Sequence, residues 1–225
     1  MKAMILAAGR GERMRPLTDT LPKPLLQVAG KALIEYHIEA LHKAGINELV
    51  INHAWLGNKI EQYLGNGHRF GVQINYSREA EALETAGGIR QALPLLGNKP
   101  FIVVNGDVFT DYDYTHLTEF KLNSPAHLVL VNNPEHNQQG DFYLQDNRVY
   151  DKVKTPEQVK RFTFSGIGLY QPEFFAPLKP GKQALAPLLR KAMAQQQVSG
   201  EFYPGLWLDI GTPQRLEALN QSLNK

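Results

Sequence analysis

Short apolar runs alternate with amphipathic, helix-period segments through the first half of the chain, and few architectures accept that alternation. It points to a parallel sheet with helices on its faces. The spacing predicts a buried first strand over Ala3 to Ala7, a helix over Leu33 to Ala44 closed by Gly45, a second strand over Leu49 to Asn52, and a helix over Leu56 to Leu64 ending at Gly65. Val72 to Tyr76 reads as a third strand, Thr85 to Leu96 as a third helix, and Phe101 to Val104 as a fourth strand. In the second half, His127 to Val131, Phe142 to Leu144, Arg148 to Val153 and Phe162 to Tyr170 read as strands, and Ala184 to Gln196 and Pro213 to Leu223 as helices. Ligands of such sheets sit beyond the carboxyl ends of the strands, so the segments after Ala7, Tyr76 and Val104 are where chemistry is expected.

Composition removes several classes of function. Lys and Arg number 24 against 22 Asp and Glu, so the net charge of +2 is too small for a nucleic-acid coat or a polybasic anchor. With no cysteine there is no disulfide framework, thiolate nucleophile, iron–sulfur cluster or Cys-containing zinc site. The apolar start is broken by Gly9 and Arg10 before it reaches the length of a secretory core, and no run approaches the roughly 18 apolar residues of a membrane span. A cytoplasmic chain with no nucleic-acid and no membrane partner is expected. The seven histidines never form HExxH, and Ser165 lacks the preceding glycine of a nucleophile elbow. Trp55 and Trp207 are expected in the core, and Phe174 and Phe175 as packing residues.

Residues 6 to 25, LAAGRGERMRPLTDTLPKPL, concentrate the charge. They follow a predicted strand and hold Gly9, Gly11, Arg10, Arg13, Arg15 and Lys23, bringing free backbone N–H groups and fixed cations to a place where a polyphosphate could rest. Neither a P-loop nor a dinucleotide fingerprint fits, because Gly-Lys-Ser/Thr is absent and Met14 stands where a small residue is required. Asp107 follows the fourth strand beside Gly106, a position that suits a hard cation with phosphate ligands. Alone, Asp107 or Asp209 reads first as a turn former or a helix cap.

These residues carry a resemblance. LAAGRGERMRPLT followed by PKPL is similar to the signature of the sugar-1-phosphate nucleotidylyltransferases, which join a nucleoside triphosphate to a sugar phosphate and release pyrophosphate. The similarity continues as LIEYHIEALHKAGINELVIN, ETAGGIRQAL, FIVVNGDV and WLDIGTPQRL, over nearly the whole chain. It implies a Rossmann-like three-layer α/β/α fold with a mixed, mostly parallel central sheet, and one domain over residues 1–225. Within it, residues 1–110 would form a nucleotide-binding half and 111–225 a sugar-phosphate-binding half, in a monomer or small homo-oligomer.

The resemblance also assigns roles. Arg13 and Lys23 become the catalytic cations on the triphosphate, with Ala7, Ala8, Gly9, Gly11, Glu79, Glu84 and Gly87 as further nucleotide contacts. Asn105, Gly140, Asp141 and Ser165 become sugar-phosphate contacts, and Asp107 and Asp209 the ligands of Mg²⁺. The chain departs from the family at Glu79, where several relatives have Gln, and at Glu84, where many have Gly. The usual Glu-Lys pair is also not evident, Lys152 and Lys154 being the candidates in its place. A carboxylate at Glu79 only accepts hydrogen bonds, so it would suit the N3–H of uracil and guanine N–H groups as well. Thr85, Gly87 and Gly88 open a helix, with Thr85 as a plain cap the simpler reading.

Among short members, RGERMRPLTDTLPKPL, REAEALETAGG, QGDFYL and TFSGIG together most resemble the branch that uses UTP and N-acetylmuramate 1-phosphate in peptidoglycan recycling. Mannose-1-phosphate guanylyl transfer and phosphocholine cytidylyl transfer are the alternatives. A non-catalytic nucleotide-sugar binding protein is the reading of a different class, and joint retention of Arg13, Lys23, Asp107 and Asp209 argues against it. The lactyl carboxylate of N-acetylmuramate requires donors at the sugar end of the cleft. Arg148, Lys152, Lys154, Lys160 and Arg161 are the expected cations.

Overall fold

The computed structural model describes residues 1–223. In chain order its elements are β1 (Lys2–Leu6), β2 (Gln27–Val28), β3 (Lys31–Ala32), α1 (Leu33–Lys43), β4 (Glu48–His53), α2 (Gly57–Leu64), β5 (Gln73–Arg78), α3 (Glu84–Leu96), β6 (Phe101–Asn105) and β7 (Val108–Thr110). They continue as α4 (Thr115–Glu119), β8 (Ala126–Val131), β9 (Phe142–Gln145), β10 (Arg148–Tyr150), β11 (Arg161–Tyr170), α5 (Leu185–Ala194), β12 (Val198–Tyr203), β13 (Trp207–Asp209) and α6 (Pro213–Leu223). No described helix is long and apolar enough to cross a membrane.

Strand period explains the layers. Ala3 and Ile5, Leu49 and Ile51, and Ile102 and Val104 face one core, while Met4, Val50, Phe101 and Val103 face the other. The first core is closed by Ile34, Ile38 and Leu41 of α1 and by Ile60 and Leu64 of α2, at the helical spacing of an apolar stripe. The second is closed by Ala86, Ile89 and Ala92 of α3, by Leu185 and Leu189 of α5, and by Phe175, with Phe174 packed against it. A sheet buried on both faces reads as continuous apolar strands, which is how β1 and β6 look in the sequence.

The central sheet has nine strands in the order β5-β4-β1-β6-β11-β8-β12-β10-β9. Only β10 and β11 oppose the common direction, so the sheet is mixed and mostly parallel, as the resemblance implies. β12, which the hydropathy pattern does not predict, inserts between β8 and β10. Its Gly200 lies so close to Val149 that a β-carbon would come within 2.4 Å of Cγ2. The predicted strand over Arg148 to Val153 ends at Tyr150.

Two-stranded pieces lie at the carboxyl end of the sheet. β13 pairs antiparallel with β7, setting Asp209 opposite Val108, and the Ile210 N–H donates to the Asp107 carbonyl at 2.8 Å. This pairing brings the ends of the chain's two halves together. α6 then packs Leu216 and Leu219 on Met14, Leu33, Phe109 and Ile210, anchoring the β13 strap beneath the glycine-rich loop.

Candidate active site

Three adjoining cavities form one cleft above β1, β6 and β11, all sharing Asn105 at the end of β6. One is lined by Leu6 to Gly9, Lys23, Asn52, Ala82, Glu84 and Asp107. Another holds Arg13, Asp107, His136, Ser165, Trp207 and Asp209, and the outer one holds Thr85, Asp141, Phe142, Phe164 and Arg190. The segments after β1, β5 and β6 line the cleft together, where strand polarity places them.

The loop after β1 is bent by Gly11 at φ +66, a left-handed position that glycine adopts without strain, and the Thr18 hydroxyl fastens it by donating to the Gly11 carbonyl at 2.7 Å. Arg10 and Arg15 meet Glu12 and Asp19, whereas Arg13 forms no salt bridge among the described residues and lines the cleft. Lys23 is nearly buried, at 9% exposure, and donates to Asp107 Oδ2 at 2.6 Å. Thus the backbone around Ala7, Ala8 and Gly9, the Arg13 guanidinium and the Lys23 ammonium border one space. Such a space suits a polyphosphate.

Asp107 and Asp209 line the same cavity. Arg215 of α6 donates to Asp209 Oδ2 at 2.6 Å, and His136 Nε2 lies 3.1 Å from its Oδ1. No group of three or more His, Cys, Asp and Glu side chains suited to a metal occurs among the described residues. Two carboxylates with room left for phosphate oxygens is nevertheless the donor set that a hard divalent cation takes. The residues present fit one.

At the outer end, Gly140 sits at φ +65 against Asn133, and Asp141 accepts from Asn137 Nδ2 at 3.1 Å and from the Phe164 N–H at 2.8 Å. The Ser165 hydroxyl donates to the Val129 carbonyl at 2.7 Å and accepts from the Ile167 N–H, holding a bulge in β11. Ser165 therefore shapes the wall through its backbone while its hydroxyl is engaged. The expected cations are elsewhere. Arg148 caps the opposite end of the sheet by donating to the Gln196 carbonyl, and Arg161 is held by the Asp141 carbonyl and the Tyr143 ring. Lys160 lies over Phe162, and neither Lys152 nor Lys154 lines the cleft.

The tryptophans also correct expectation. Trp55 is 38% exposed, with the Arg10 guanidinium 4.8 Å from its ring centroid. Trp207 is half-buried in the cleft wall, its Nε1–H donating to the Ser165 carbonyl at 2.9 Å. Aromatic size alone could not show that both lie on loop-edge elements.

A family model described as nucleotidyl transferase matches residues 2–225. The chain belongs to the nucleotidyl transferase family. It is 58% identical over 224 residues to an N-acetylmuramate alpha-1-phosphate uridylyltransferase of Neisseria meningitidis, with 96% of each chain covered. It is 31% identical to a mannose-1-phosphate guanyltransferase of Hypocrea jecorina, covering 95% of this chain and 61% of that protein. The crystal structure of a putative glucose-1-phosphate thymidylyltransferase from Bacillus anthracis superposes with a TM-score of 0.85, at 24% identity, over 99% of this chain and 94% of that one, and so shares the fold.

In this nucleotidyltransferase Glu79 is nearly buried, at 6% exposure, behind the cleft wall. Asn52 Oδ1 accepts from the Ala7 N–H at 3.0 Å, Asn52 Nδ2 donates to Glu79 Oε1 at 2.7 Å, and the Leu83 N–H donates to Glu79 Oε2 at 2.9 Å. Burial pushes the Glu79 carboxyl pKa up. The chain of bonds ties the glycine-rich loop to the loop that Ala82 and Glu84 bring to the cleft. Because the Ala7 N–H fixes the Asn52 amide, a glutamine at 79 must turn its NH₂ toward another donor. Glu79→Gln is expected to cost about 1–3 kcal/mol of stability, read as a lower urea midpoint. An unchanged midpoint would show that the network carries no such constraint.

Glu84 takes φ +59 at the start of α3, a left-handed position that glycine adopts without strain and that a glutamate holds at a cost. Thr85 lies in the first turn without capping it and lines two of the cavities. Gly87 instead permits a close helix–loop contact: its N–H donates to the Gln183 carbonyl, and a β-carbon would meet the Gly181 carbonyl at 2.3 Å. Sequence reasoning does not reach Asn52, His136, Arg190, Trp207 or Arg215 as site residues. Trp207 and Arg215 have a local signal, since both lie within WLDIGTPQRL.

Proposed function

We propose that the chain transfers a uridylyl group from UTP to N-acetylmuramate 1-phosphate, giving UDP-N-acetylmuramate and pyrophosphate in peptidoglycan recycling. The observation that carries this reading is 58% identity, end to end, to a relative of that name, against 31% to a guanyltransferase. The same reading makes residues 1–225 one domain working in the cytoplasm as a monomer or small homo-oligomer, without nucleic-acid partners.

The attacking oxygen belongs to a phosphate that is already anionic, so no general base is needed. A sugar-phosphate oxygen bonds to the α-phosphorus, the bond from that phosphorus to the bridging oxygen breaks, and the electron pair leaves with pyrophosphate. Arg13 and Lys23 hold the triphosphate and offset the charge that grows on it, from positions already bordering the cleft. Asp107 and Asp209 would hold Mg²⁺, which when bound would supply positive charge to offset that of the phosphates. Asn105 and the walls around Asp141 and Phe164 receive the sugar.

Pyrophosphate release across four nucleoside triphosphates and a panel of sugar 1-phosphates tests the reading. UTP with N-acetylmuramate 1-phosphate is expected to give kcat/KM at least ~10-fold above UTP with N-acetylglucosamine 1-phosphate. GTP with mannose 1-phosphate should be poorer still, and its being the fastest pair would overturn the assignment of base and sugar.

A further inference from the structure

The outer cavity, of about 500 Å³, has one cation among its described lining residues, Arg190 in the second turn of α5. The carboxylates of Glu84 and Asp141 line it as well, so an anionic substituent entering this space meets repulsion that only Arg190 opposes. Asp141 is already committed to the N–H groups of Asn137 and Phe164 and has no call on the guanidinium. Arg190 Nε donates to Asp151 Oδ1 at 2.9 Å, and neither Nη group has an acceptor among the described residues. That bond fixes the guanidinium through Nε and leaves the Nη1/Nη2 end, a planar fork whose two N–H bonds match the two oxygens of a carboxylate.

Resting on the reading of the cleft as a site for N-acetylmuramate 1-phosphate, we propose that Arg190 determines sugar specificity by binding the lactyl carboxylate, with Asp151 as its positioning residue. The ether-linked lactyl group is the feature that separates this substrate from N-acetylglucosamine 1-phosphate, and a charge-assisted pair is the contact able to read it. Sequence could not distinguish Arg190 from the other arginines, because it sits on a helix whose apolar stripe, Leu185, Leu189, Ala192 and Met193, reads as core.

The test compares Arg190→Gln and Arg190→Lys with wild type, using UTP and each of the two sugar 1-phosphates. In Arg190→Gln, kcat/KM is expected to fall at least ~10-fold more with the lactyl sugar than with N-acetylglucosamine 1-phosphate, chiefly through KM for the sugar. Arg190→Lys should fall between, since it keeps the charge and loses the fork. Asp151→Asn should shift the preference in the same direction by less. A melting temperature equal to that of wild type shows that the fold is kept. Equal losses on both sugars, with wild type preferring the lactyl sugar, overturn the role of Arg190 and leave the proposed function standing. A wild type without that preference overturns the proposed function and this inference with it.

Discussion

Asp209→Asn is expected to lower kcat by on the order of 10²- to 10³-fold while the protein stays folded, and Asp107→Asn should match it. The side chain keeps its size, so the loss is one of charge. In the free protein Asp107 is balanced by Lys23 and Asp209 by Arg215, with His136 Nε2 beside Asp209, and the two carboxylates still border a common cavity. Removing one charge halves the anionic donor set facing the phosphates. It also leaves a cation without its partner, which would attract substrate phosphate into an unproductive position. Steady-state kinetics beside a melting curve separates these effects from unfolding. Addition of EDTA to wild type should give a loss of similar size. Full turnover of Asp209→Asn in the presence of EDTA would refute the assignment of this pair to a divalent cation.

Arg13→Ala should reduce kcat by about 10²-fold or more, with a smaller change in KM for the sugar phosphate. Arg13 is exposed, forms no salt bridge among the described residues, and lines the cavity on the Asp209 side, its Nη2 and Asp209 Oδ2 lying 3.4 Å and 3.1 Å from where a Gly211 β-carbon would sit. Its truncation therefore removes little that supports the fold, and circular dichroism should not change. Lys23→Ala should lose as much activity and also stability, because Lys23 is buried against Asp107 and its removal leaves that carboxylate unpaired. Equal kcat for Arg13→Ala and wild type would make Arg13 an ordinary surface residue.

The first four sheet strands and the helices between them were legible because buried parallel strands and amphipathic helices have different periods. Boundaries moved by a residue or two, as at β5, which runs over Gln73–Arg78 and not Val72 to Tyr76. β7 and β13 escaped notice because three residues are too few to show a period, yet they place Asp107 beside Asp209. The glycine-rich loop was legible from its local charge. The sugar end was not, since nothing in the order of residues shows that β10 holds Arg148 at the end of the sheet away from the cleft while α5 brings Arg190 to the lining of the outer cavity. Glu79 was visible as a departure in type, but only the fold shows that its oxygens are engaged by Asn52 and Leu83.

The pairing of β7 with β13 also bears on how the protein is made. β1, β4 and β6 complete their mutual contacts within the first half of the chain, so a growing polypeptide holding only those strands already owns the glycine-rich loop and Asp107. Asp209 arrives on a strand that must return across about half the chain's length to reach its partner. Contacts so distant in sequence form late. A nascent or truncated chain that stops before β13 therefore carries Arg13, Lys23 and Asp107 but lacks Asp209 and the Ile210, Leu216 and Leu219 side chains that pack on Met14. Under the proposed role of Asp209, turnover requires that synthesis has passed β13.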